Sequence, residues 1–316
     1  MAYSTDDLVT AVRRLAYLPD ASDITAAEIL TRADEELVTI VADCMKSARE
    51  GFWLTHEDQA LSPSVKSYPI PRRALGRGVV GVQMVTSDGV AFTIPQIDPV
   101  VGWNGRTVTI NSYCYSFQAD NIVFPSPPPS GYSLRVQYMR ETNRLVPTSS
   151  CAAIEYASST TSLHVTSSPS TWPVGYYLDI VRGDAPFDLS YVDLVLSGGA
   201  GTTTILLDPA TPIVTADFVD LSTYPNDRAD YLCSRDTTCY PPLPIAYQPV
   251  LEAAVAAQVA ESLKDSETAD MLGRRLERRK RAAADITEPR NQEGSRPITR
   301  IRSPLRQTVG IGRRWR

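Results

Sequence analysis

Leu243-Pro-Ile-Ala-Tyr-Gln-Pro-Val-Leu-Glu-Ala-Ala-Val-Ala-Ala-Gln-Val-Ala-Glu-Ser-Leu263 is the stretch on which the fold is first read. Proline near its start is tolerated, because first-turn amides have no partner inside a helix. Tyr247, Leu251, Ala254, Val255, Val259 and Leu263 recur at steps of three and four, which predicts a helix with one buried stripe. Lys264-Asp265-Ser266 interrupts it and supplies an N-cap for a second helix, where Ala269, Leu272 and Leu276 continue the stripe. That helix turns basic at Arg274-Arg275 and Arg278-Arg279-Lys280-Arg281 and fades near Pro289.

Beyond it lies a sequence that cannot be one helix, since Pro297, Pro304, Gly310 and Gly312 break it. Ile298, Ile301, Leu305, Val309, Ile311 and Trp315 alternate with arginines there. A solubilising tail has no need of so many apolar side chains, so an arm that orders on a partner surface is expected. Residues 271–316 hold 14 Lys/Arg against 4 Asp/Glu, which leaves 17 against 32 for residues 1–270. The body is acidic and the end basic. Such an end serves either a nucleic-acid contact or docking to a partner of complementary charge.

The N-terminal end is also helical. Ser4-Thr5-Asp6-Asp7 caps a first segment closed by Pro19, and Thr25-Ala-Ala-Glu28 has capping-box spacing before a long stripe from Ile29 to Ala48. Four amphipathic helices cannot bury their stripes separately, so a helical bundle from the N- and C-terminal helices is expected.

The middle reads as β. Its 24 prolines and 15 tyrosines across the chain favour loop-rich strands there. Val79–Val85 and Val90–Ile94 flank Ser87-Asp88-Gly89, a hairpin signal. Short strands are expected at Thr107–Ile110, Tyr113–Phe117, Asn121–Phe124 and Tyr132–Arg140, then at Trp172–Val181, Tyr191–Leu196 and Thr203–Leu207. The expected class is α+β: helices 1–62 and 223–288 forming the bundle, a central β region 63–146, an inserted β module 147–222 and an extended arm 289–316.

The chemistry-bearing residues offer little. Neither a nucleophile elbow, a HExxH motif, a Walker loop nor a dinucleotide fingerprint occurs. His56 and His164 are the two histidines, read as a polar loop residue and a strand residue. Of five scattered cysteines, Cys233 and Cys239 lie six apart with no histidine nearby, which is no zinc signature, and reduced thiols are expected. Carboxylate pairs such as Glu35-Glu36 and Asp217/Asp220 read as solvated. Arg182-Gly183-Asp184 reads as a turn, and Gly198-Gly-Ala-Gly201 as a hairpin tip without the spacing or lysine of a phosphate loop. No cofactor and no metal is expected, and no enzymatic activity. Met1-Ala-Tyr-Ser-Thr-Asp-Asp has neither a basic start nor an apolar core, and no run nears the roughly twenty apolar residues of a membrane span. The chain is therefore expected to stay in the compartment where it is made.

In order along the chain, Arg49-Glu-Gly-Phe-Trp53, Tyr68-Pro-Ile-Pro-Arg-Arg-Ala-Leu-Gly76, Asn121-Ile-Val-Phe-Pro-Ser-Pro127 and Leu134-Arg-Val-Gln-Tyr-Met-Arg140 follow the opening helices. Leu243-Pro-Ile-Ala-Tyr247 precedes the closing ones, and Arg313-Arg-Trp-Arg316 ends the arm. This combination resembles the head-to-tail adaptor (neck or connector) proteins of tailed bacteriophages, of the short-tailed type. The resemblance implies a structural virion protein that forms a ring, usually of twelve copies, beneath the portal protein. It further implies a tail or next neck component below the ring, and genomic DNA passing through an acidic lumen without specific binding. Ile301, Arg302, Leu305, Arg306, Ile311, Arg313, Arg314 and Trp315 would then contact the portal. Two other classes stay open: a nucleic-acid-binding protein using the basic tail, and a phage cell-wall hydrolase.

Overall fold

The computed structural model describes residues 3–18, 24–47, 53–97, 113–166, 172–183, 192–197, 203–210, 213 and 230–287. The strand expected at Thr107–Ile110 and the whole arm lie outside them, as do Asp217, Asp220 and the 198–201 tip.

Four α-helices are described: α1 (Thr5–Leu15), α2 (Ala26–Ser47), α3 (Gln248–Ser262) and α4 (Ser266–Thr287). Their starts are set by side chains that satisfy first-turn amides. Ser4 Oγ accepts from the Asp7 amide at 3.2 Å while the Asp7 carboxylate accepts from the Ser4 amide at 3.0 Å, a capping box. Thr25 and Glu28 repeat it on α2, at 3.2 and 2.8 Å, and the amide and hydroxyl of Thr25 hold the Glu28 carboxyl below its ordinary range. Lys264 takes φ +60° to reverse the chain after α3, and Asp265 then accepts from the Thr268 amide to open α4. Helix α3 is buried on nearly every side, through Val250, Leu251, Ala253, Ala254, Val255, Ala256, Val259 and Ala260. A helix apolar all round belongs in the middle. The other three pack on it, sharing one core with Leu8, Val12, Ile29, Leu37, Ile40 and Leu272.

The rest of the described chain is β, and this corrects the expected class. Fifteen strands in four sheets outweigh four helices, so the protein is mostly β and not an α+β helical bundle with a central β region. The first sheet runs β1 (Leu54–Ala60), β7 (Tyr132–Arg140), β3 (Ala74–Thr86), β4 (Ala91–Thr93), all antiparallel. Along β7 every second residue is buried, Leu134, Val136, Tyr138 and Arg140. Their face packs against a three-stranded sheet of β2 (Ser67–Pro69), β6 (Asn121–Val123) and β5 (Ser116–Gln118), with Tyr68, Val82, Met84, Ile122 and Phe124 between them. The Asp88-Gly89 hairpin forms, with Met84 opposite Phe92 and Gly89 at φ +82°.

A six-stranded sheet follows, in the order β12 (Leu194–Val195), β11 (Tyr177–Arg182), β14 (Asp230–Ser234), β9 (Ala152–Ser159), β10 (Ser162–Val165), β13 (Thr204–Leu206). Its core is separate, built from Ile154, Leu163, Val165, Trp172, Leu178, Ile180, Ile205 and Leu232. A short parallel pair, β8 (Arg144–Leu145) with β15 (Thr237–Thr238), lies between this sheet and the helices.

Two strands explain why the balance was misjudged. Strand β1, Leu-Thr-His-Glu-Asp-Gln-Ala, is mostly exposed and has no apolar alternation, so pairing to β7, and not an apolar pattern, makes it a strand. Strand β14 sat unrecognised in a stretch read as a connector back to the helices, yet it lies in the middle of the six-stranded sheet. Among the described residues no helix is long and apolar enough to cross a membrane.

Candidate functional site

Three features have chemistry to offer. The first is the surface of α4. Its apolar seam is narrow, made of Ala269, Leu272, Leu276 and Ala283, and Arg279 adds a bond to the Pro249 carbonyl and an ion pair to Glu252 at 3.3 Å. Arg274, Arg275, Arg278 and Arg281 are exposed on the same helix. Where α4 begins, Tyr17, Met271, Arg274, Arg275 and Arg278 line an open groove of about 940 Å³ together with Glu267 and Asp270. Tyr17 is 71% exposed and Met271 44%, so an aromatic and a thioether stand beside the guanidiniums in solvent. Such a mixture can take an anionic or amphipathic partner.

The second is a buried ionic junction. Arg73, just before β3, places Nη2 2.9 and 3.0 Å from the two Asp179 oxygens, 3.3 Å from Asp193 and 3.4 Å from Asp236. Asp179 also accepts from the amides of Asp193 and Asp236, at 2.9 and 2.8 Å, where both residues take positive φ. Arg72 and Arg235 complete it through Asp236 and Asp193, each at 2.6 Å. Burial works against the Arg73 charge, and the three carboxylates, Asp179 foremost, outweigh it and hold its pKa up. Arg140 nearby donates to Asn143 at 3.0 Å, and burial, with the Arg73 charge beside it, brings it down to about 10. The junction ties the β7 sheet to the six-stranded sheet; it is a structural lock.

The third is a cluster of cysteines. Pairing of Leu232 with Ala152 puts Cys233 opposite Cys151, with Sγ atoms 2.7 Å apart. Cys239 arrives just after β15, and the three sulfurs all lie within 4.8 Å of one another, buried under Val181, Tyr231 and Tyr240. The first turn of α1 closes over them, since the Thr5 amide donates to the Cys239 carbonyl at 2.8 Å. Thiol donation from Cys233 and Cys239 pulls the Cys151 thiol down to about 5, and burial pushes Cys233 well up. The cluster can therefore hold negative charge on sulfur in a dry site.

In sequence Cys233 and Cys239 lie six apart with no histidine nearby and give no zinc signature; the third sulfur, Cys151, lies 82 residues from Cys233. The strand signal of β14 was the one clue that could have brought it in. The histidines stay apart: His56 is exposed on β1, and His164 on β10 stacks on Tyr156 with ring centroids 4.2 Å apart. Every proposed portal-contacting residue, Ile301, Arg302, Leu305, Arg306, Ile311, Arg313, Arg314 and Trp315, lies outside the described residues. Comparison of the sequence with protein-family models and with curated proteins finds no match.

Proposed function

We propose that this chain is a structural virion protein of a tailed phage, a head-to-tail adaptor that forms a ring beneath the portal protein and joins the DNA-filled head to the tail. The observation that supports this most is the exposed basic face of α4, which leads in sequence straight into the arginine-rich arm. A helix held by a narrow seam can carry a docking segment without disturbing the core beneath it. In this reading Ile301, Leu305, Ile311 and Trp315 anchor in portal pockets, and Arg302, Arg306, Arg313 and Arg314 pair with portal carboxylates. Repetition around the ring multiplies a modest affinity per arm. The acidic remainder of the chain, 32 Asp/Glu against 17 Lys/Arg in residues 1–270, suits a lumen that lets DNA slide. The place of action is the neck of the virion.

Deletion of residues 290–316 tests the arm. The truncated chain keeps the circular dichroism and melting behaviour of the full chain and no longer binds the portal of the same phage. Portal binding at unchanged affinity by the folded truncation contradicts it.

The groove of Tyr17, Arg274, Arg275 and Arg278 favours one second reading, direct nucleic-acid binding, because an aromatic beside guanidiniums can stack and neutralise a strand. Affinity for DNA that falls steeply with salt, and is lost in a triple Arg274/Arg275/Arg278→Ala variant, would carry that reading instead.

A further inference from the structure

We infer that Cys151, Cys233 and Cys239 form a three-thiolate binding site for a thiophilic d10 cation, Zn2+ or Cu+. The residue before β9 comes from 82 positions upstream to meet a residue of β14 and the residue after β15, and each brings one sulfur to the same point. A disulfide needs two sulfurs; here a third converges on the same point, within 4.8 Å of both others. Cys151 and Cys233, with sulfurs 2.7 Å apart, stand closer than two unbonded thiols do, so the pair must either join or move apart around a ligand. A cation bound at about 2.3 Å from each thiolate holds the sulfurs roughly 3.8 Å apart, so small side-chain rotations suffice.

The surroundings fit a resident ion. Cys233 and Cys239 are fully buried and Cys151 nearly so, among Val146, Val181, Tyr231 and Tyr240, which keeps water from competing for the metal. Soft thiolate ligands select Cu+ and Zn2+ over hard cations. Trigonal coordination by three sulfurs satisfies Cu+. Zn2+ takes a fourth ligand beyond the three sulfurs. Binding releases the thiol protons and couples β9, β14 and the start of α1, because Cys239 also receives the Thr5 amide. The ion would thus staple the six-stranded sheet to the helical layer, independently of what the chain docks to.

The test uses the full chain purified under anaerobic, reducing conditions, with metal content measured by mass spectrometry. The metal-free chain is then titrated with Co2+, as a probe for Zn2+, and with Cu+. We expect about one equivalent of Zn or Cu per chain, sulfur neighbours at about 2.3 Å by X-ray absorption, and a sulfur-to-cobalt charge-transfer band. Four-coordinate zinc or three-coordinate copper identifies which ion. Removing the metal lowers Tm by about 5 °C or more. Cys239→Ser weakens binding at least tenfold, and Cys114→Ser, which alters a buried cysteine outside the cluster, leaves it unchanged. If Cys239→Ser fails to fold, the absorption measurement on the unmodified chain decides alone. A reduced chain that takes up neither ion at micromolar concentration overturns the proposal, and so does a Cys151–Cys233 disulfide mapped in freshly isolated protein.

Discussion

The Arg73 guanidinium grips both oxygens of Asp179, at 2.9 and 3.0 Å, across 106 residues of sequence and between two sheets that share no strand. The Asp179 side chain is 1% exposed and that of Arg73 9%, so neither charge can turn to solvent if the other is removed. Asp179→Ala is expected to destabilise the protein by about 3 kcal/mol, because it removes the buried carboxylate closest to the cation, leaving Asp193 and Asp236, and frees two amides. Denaturant unfolding measures this. As a contrast, Arg135→Gln breaks the exposed ion pair to Asp58 at 2.7 Å and leaves the unfolding midpoint nearly unchanged.

Asp34 gives a pH signature. Burial raises its carboxyl to about 6, against the pull of the Leu145 amide at 2.7 Å and of Arg144. The folded state therefore holds this proton more tightly than the unfolded chain, whose value is near 3.8. The contribution to stability is fully present below about pH 3.8 and is lost as pH rises through about 6. Asp34→Asn removes that loss. The Tm of Asp34→Asn relative to the parent should rise between pH 4 and pH 7.5, whereas parallel pH profiles would contradict the assignment.

Two glycines on β3 and its turn should fail for different reasons. Gly89 sits at φ +82° with open space around a Cβ, so Gly89→Ala costs about 1 kcal/mol of backbone strain alone. At Gly78 an added Cβ would meet the Leu75 carbonyl oxygen at 2.8 Å, a backbone atom that cannot rotate away. Gly78→Ala should lower Tm more than Gly89→Ala. The reverse order would mean that β3 shifts freely where its register with β7 is irregular, between Ala74 and Gly81.

In the arm, Trp315→Ala should weaken portal docking more than any single Arg→Ala among Arg302, Arg306, Arg313 and Arg314, because buried aromatic anchors outweigh rim charges. Equal losses, read by surface plasmon resonance, would point to a purely electrostatic tail.

The local grammar of the chain was legible where a side chain answers a nearby amide. Ser4/Asp7 and Thr25/Glu28 marked α1 and α2, Asp265 marked α4, and Asp88-Gly89 marked its hairpin. The alternation along Tyr132–Arg140 returned β7 with those bounds. What escaped was long-range. Strand β1 carries no apolar alternation because it is mostly exposed, and its pairing rests on the backbone ladder and the Asp58–Arg135 ion pair. Strand β14 is five residues long, and its place between β9 and β11 depends on partners 50 to 80 residues upstream. Without those two strands the helices dominate the reading, whereas two separate cores are built from β-sheet residues. The Arg73–Asp179 lock and the meeting of Cys151 with Cys233 and Cys239 follow from the same pairings, and no spacing rule announces either.

The most direct measurement is the native mass of the purified chain, alone and after mixing with the portal ring of the same phage. The adaptor account predicts that the portal gains a whole-number set of copies, twelve by the resemblance that motivates it, and that removal of residues 290–316 abolishes the gain. A portal of unchanged mass, beside a chain that instead retains DNA in a salt-dependent manner, would contradict it.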